Sequence, residues 1–102
     1  MNKFIGYYRS SGTFPVDGGR DINYDNVCFV CVKELVKPES SGLTFLKDPV
    51  RIPYKKFKEI TGYYFDEFMQ LYPCADEAYA YEANYSMNEY GTLKISSFAV
   101  VD

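Results

Sequence analysis

Apolar and polar positions change period along this chain, and each change marks an element. Lys3 to Phe14 carries β-forming residues in FIGYY, with Gly6 and Gly12 allowing bends or bulges. The turn-forming VDGGRD follows at residues 16–21. Ile22 to Leu35 predicts a second strand. Its centre, Val27 to Val32, is apolar on both faces, which predicts an interior strand of a sheet. KPESSG at 37–42 is a loop. Leu43 to Ile52 is a shorter extended stretch, confined by Pro49 and Pro53 to an edge or an irregular path. From Tyr54 the spacing becomes helical: Phe57, Ile60, Tyr64, Phe68 and Leu71 recur every three or four residues. Thr61-Gly62 interrupts the run, which predicts helices over about Tyr54 to Thr61 and Phe65 to Leu71, with one bent helix as the alternative, ending before Pro73.

Alternation returns in AYAYEANYSM. Tyr79, Tyr81, Ala83, Tyr85 and Met87 form one row; Ala78, Ala80, Glu82, Asn84 and Ser86 form the other. The second row is small and polar and suits solvent. The tyrosine row is therefore expected to be mostly buried, packed on Phe57, Phe68 or the interior strand, with hydroxyls at the rim. NEYG (Asn88 to Gly91) predicts a hairpin turn and Thr92 to Val101 the closing strand. Parity puts Leu93 and Ile95 on one face and Phe98 and Val100 on the other, which predicts a bulge at Ser96-Ser97. The order is β-β-β-α-β-β in a single domain spanning residues 1–102. It suits a mainly β, OB-fold-like small barrel; an α+β sheet with a helix packed on it is the alternative.

At 102 residues, 47% apolar and 19% aromatic, the chain can build one core and is too hydrophobic for disorder. It has no His, so the commonest general base and metal ligand are absent. A nucleophile elbow, a glycine-rich phosphate loop and metal-spaced carboxylates are also lacking, and a non-catalytic protein without a cofactor is expected. Cys28 and Cys31 stand three apart inside VCFVCV. In a strand they face opposite ways, so reduced, separate thiols are expected rather than a metal site. No apolar run is long enough to cross a bilayer, and the N-terminus lacks the apolar segment of a signal peptide. A cytoplasmic protein without membrane partners is the expectation.

The net charge of −3 hides an asymmetry. Residues 1–58 carry ten Lys/Arg and six Asp/Glu; residues 59–102 carry one Lys and eight Asp/Glu. The N-terminal half supplies the parts of a single-strand binder, cations for phosphates and rings for bases. Tyr7 and Arg9 are expected on one strand face with Lys3 and Ile5, Arg20 and Tyr24 flank the first turn, and Lys33 ends the second strand. Lys55, Lys56 and Lys58 form the densest basic cluster. The acidic half supports a different class: a protein-binding module or nucleic-acid mimic engaging a basic partner through Asp66, Glu67, Asp76, Glu77, Glu82 and Glu89. A homodimer without a nucleic-acid role is compatible with the same features.

Two stretches, GGRDINYDNVCFV and EYGTLKI, together with the element order, resemble the single-stranded-DNA-binding proteins of filamentous phages and their OB-fold relatives on mobile elements. The resemblance covers about a third of the chain. It implies Arg20 as a phosphate contact, with Tyr24 and Tyr90 stacking on bases.

Overall fold

The computed structural model describes residues 2–101. The chain forms β1 (Lys3–Val16), β2 (Arg20–Glu34), β3 (Leu43–Phe45), β4 (Arg51–Pro53), a short 3-10 turn (Tyr54–Lys56), α1 (Phe57–Thr61), α2 (Phe65–Leu71), β5 (Tyr79–Met87) and β6 (Leu93–Val101). The expected third strand is divided: β3 and β4 each pair with β2, and the segment between them carries Asp48-Pro49. Helix α1 ends at Gly62, whose φ of 88° places it in the left-handed region that closes helices without Cβ strain. The break resets the helical phase. Phe57, Ile60 and Phe68 are buried, while Tyr64 and Leu71, expected on the same stripe, are exposed. At the start of α2 the Tyr64 N–H donates to the Glu67 carboxylate, 3.3 Å away.

All strand pairs are antiparallel, in the order β3-β2-β1-β5-β6, with β4 also on β2. The barrel expected from the element order does not close. Among the described residues no ladder joins β6 to β3 or β4; instead α1 packs against both β4 and β6. Side chains, not backbone hydrogen bonds, fill the gap.

Bulges decide which side chains face inward. In β1 the register slips between Phe4 and Gly6, so Phe4 stands opposite Cys31 and Tyr7 opposite Phe29. The extra residue is Ile5. It moves Tyr7 and Arg9 onto the face of Phe4 and away from that of Lys3, correcting the expectation that Lys3, Ile5, Tyr7 and Arg9 share a face. In β6 the slip makes Ser96 the extra residue, where a bulge was expected. Ile95, Phe98 and Val100 thereby oppose Tyr85, Ala83 and Tyr81 on one face.

The core is aromatic. Phe4, Phe29, Phe57, Phe68 and Phe98 are fully buried, with Val27 and Ile52 beside them. Phe29 and Phe98 have ring centroids 4.5 Å apart, and Tyr81 stacks on Phe98 at 5.0 Å. β2 is an interior strand, with Cys31 buried on the core face, Cys28 half-buried on the opposite parity, and both thiols free. The tyrosine row is only partly covered. Tyr81 is 7% exposed and Tyr79 half-buried, but Tyr85 is 52% exposed and Met87 is exposed too. The hairpin runs on past the core, and its last two inward positions overhang it.

Candidate functional site

Tyr7 belongs to the core rim. Its ring packs against Phe4, Phe29, Phe65 and Phe68, and its hydroxyl lies 2.8 Å from the Tyr72 carbonyl oxygen as donor. Burial, helped by Cys74 and Tyr79, pushes its pKa up to about 12. A ring so enclosed offers no face to a base. Arg9 is also engaged. Its Nε and Nη2 donate to Asp25 Oδ1 and Oδ2 at 2.9 and 2.7 Å, and its guanidinium carbon lies 3.5 Å from the centre of the Tyr54 ring. The Asp25 hydrogen bonds raise the Arg9 pKa further, and the same bonds hold the Asp25 carboxyl below its ordinary value. The candidate constellation therefore loses Tyr7 and Arg9 as free contacts.

Arg20 and Tyr24 remain on one surface. β1 and β2 pair without interruption from Gly6 to Val16, so the two strands form a ribbon with strictly alternating faces. The face opposite the core carries Tyr8, Ser10, Gly12, Phe14 and Val16 from β1, and Cys28, Asn26, Tyr24, Ile22 and Arg20 from β2. Tyr8, Phe14, Ile22 and Tyr24 are exposed there, with the Phe14 and Tyr24 rings 6.1 Å apart. Asp21 and Asp25 project from the other face. Sequence reasoning missed Tyr8, Phe14 and Ile22 as members of this stripe. The signal was parity alone, and it becomes readable only once the bulge at Ile5 is known.

Lys33 and Tyr90 lie elsewhere. Lys33 pairs with Thr44 at the far end of β2, thirteen residues from Arg20, or about 43 Å of extended chain. Tyr90 is 84% exposed on the β5–β6 turn, where Asn88 Oδ1 accepts from the N–H groups of Tyr90 and Thr92. Phe4 pairs with Tyr79 and Lys3 with Ala80, so β5 runs away from the β1–β2 turn. Tyr90 and Arg20 therefore sit toward opposite ends of the sheet.

A second feature had no counterpart in the sequence reading. A cleft of about 550 Å³ opens between the segment around β4, helix α1 and the β5–β6 hairpin. Arg51, Lys56 and Lys94 line it, with Tyr85, Ile60, Leu93 and Ile95 as its apolar wall and Asp48 as its carboxylate. Lys94 is the one cation after Lys58 in the sequence, and the fold brings it to two cations of the basic half. Lys56 and Lys94 also border an adjoining hollow that contains Glu59.

The acidic residues are dispersed. Asp66 and Glu67 begin α2, Asp76 and Glu77 precede β5, Glu82 points outward from β5, and Glu89 is in the turn. Glu67 is occupied with the helix end and Glu77 with the Tyr79 hydroxyl at 2.7 Å. Among the described residues no cluster of His, Cys, Asp or Glu could hold a metal, and no helix is long and apolar enough to cross a membrane. No protein-family model, curated protein or solved structure matches the chain.

Proposed function

We propose that this protein binds single-stranded DNA without chemistry of its own, on the outward face of the β1–β2 ribbon. One observation carries the reading: Tyr8, Phe14 and Tyr24 are exposed on the face that holds Arg20, while the ribbon's Asp21 and Asp25 project from the other face. Rings on such a face accept bases of any identity, and the missing carboxylates spare the phosphates repulsion. Stacking contributes about 1–3 kcal/mol per base. The fold is read here as an open relative of the OB arrangement, supported by the long first hairpin and by α1 filling the gap between β4 and β6.

Anisotropy of a labelled oligothymidine strand, titrated at several salt concentrations, tests this. Arg20→Ala weakens binding and flattens the log–log salt slope by about 0.7, one phosphate contact on a single strand. Tyr24→Ala weakens binding and leaves the slope unchanged, because a lost stack releases no counterion. A parent protein that fails to bind the strand at low salt overturns the reading.

A further inference from the structure

The cleft between β4, α1 and the β5–β6 hairpin is a separate matter from the ribbon. Arg51, Lys56 and Lys94 come from three elements and all line a hollow in which Asp48 is the one lining carboxylate. None of the three makes an ion pair or a side-chain hydrogen bond among the described residues, where the one ion pair is Arg9–Asp25. An anion entering the cleft would meet cations that no neighbouring carboxylate has already paired. The same elements also bring apolar lining: Ile60, Leu93 and Ile95 line the cleft, as does the Tyr85 ring, left half-exposed by the overhang of β5. A volume of about 550 Å³ lies within the span of about 300–1,000 Å³ typical of small-molecule sites. Unpaired cations and an aromatic ring in one cleft suit a ligand that carries an anionic group and a flat ring.

We propose that this cleft binds a nucleoside monophosphate, with Arg51, Lys56 and Lys94 around the phosphate and Tyr85 against the base. The same chemistry is offered by a free mononucleotide and by the phosphorylated end of a nucleic-acid strand.

Isothermal titration calorimetry at low salt with adenosine monophosphate tests the site, with inorganic phosphate as comparator. Saturable binding is expected, weakening as salt rises and tighter than that of inorganic phosphate. Lys94→Ala, an exposed position, keeps the parent's thermal melt and loses about tenfold in affinity, the size of one charge-assisted hydrogen bond. Tyr85→Ala weakens adenosine monophosphate binding and leaves inorganic phosphate unchanged. Arg20→Ala leaves both unchanged, which separates this site from the ribbon. Competition by a terminally phosphorylated oligothymidine strand, and not by its hydroxyl-ended form, identifies a strand end as the source; competition by neither identifies the free nucleotide. Absence of saturable adenosine monophosphate binding, equal affinity for inorganic phosphate, or a Lys94→Ala variant as tight as the parent overturns the proposal.

Discussion

The phenol of Tyr24 lies over Gly12 on the neighbouring strand, so closely that a Cβ at Gly12 would stand 2.7 Å from its hydroxyl oxygen and 2.9 Å from its Cζ. The glycine is what lets the ring lie down on the ribbon instead of standing away from it. Gly12→Ala should therefore lift the Tyr24 ring while leaving the backbone untroubled. Because the displaced atoms are the free end of a side chain, thermal stability is expected to stay within about 0.5 kcal/mol of the parent. Strand binding should fall by a similar factor to that of Tyr24→Ala. A Gly12→Ala variant that binds oligothymidine like the parent would remove Tyr24 from the interface.

Two tyrosines four residues apart in β5 provide a stability contrast. Tyr81 stacks on Phe98 inside the core, and Tyr85 overhangs it. Tyr81→Ala is expected to cost about 3–5 kcal/mol. Tyr85→Ala, lacking a closed cavity to leave behind, is expected to cost under about 1 kcal/mol. Urea unfolding of both variants checks the pair; equal losses would place Tyr85 in the core.

Alkaline pH should loosen the fold through Tyr7. Its pKa rises from 10.0 to about 12 on folding, mainly through burial. A raised native pKa means that the stabilising contribution is complete below pH 10 and is lost as pH climbs toward 12. Cys74, Tyr81 and Tyr85 are shifted upward as well, each chiefly by burial, so they add to the same decline. Tyr7→Phe removes the hydrogen bond to Tyr72 and should cost about 1 kcal/mol at neutral pH. The variant should also lose less stability than the parent between pH 10 and 12. Melting temperatures across that range decide it, and parallel curves for parent and variant would contradict the assignment.

Much of the fold was legible because it rests on local pattern. The unbroken apolar run VCFVCV indicated an interior strand, its three-residue cysteine spacing put the thiols on opposite faces, Thr61-Gly62 interrupted the helical run, and clashing parity in LKISSFAV located the bulge at Ser96-Ser97. For the Ile5 bulge the one mark was Gly6, which permits a slip without fixing one. Nothing in FIGYY conflicts with regular alternation, yet the slip sends Tyr7 and Arg9 inward. Tyr85 was misplaced because periodicity gives a face and not the point at which the opposing layer ends. Barrel closure depends on whether β6 meets β3 or β4, a tertiary matter that element order leaves open. The cleft was hidden for a related reason. Lys94 stands in the acidic half, and only the packing of α1 between β4 and β6 brings it to Arg51 and Lys56.

Among the described residues, β1 and β5 share a ladder of Lys3 with Ala80 and Phe4 with Tyr79, extended by one N–H from Tyr81 to the Asn2 carbonyl oxygen. The sheet is thus two hairpins fastened at a narrow seam, and Phe4 is the clasp, its ring in contact with Phe29 from one hairpin and Tyr81 and Phe98 from the other. Most of the force across the seam comes from rings that interlock rather than from backbone strands that zip. Such a joint has little directional backbone pairing to hold it in register once the aromatic packing melts. Heat or denaturant that softens the cluster should free the hairpins from each other while each still holds its own ladder. Amide exchange would then show the β1–β2 and β5–β6 strands opening as two separate units.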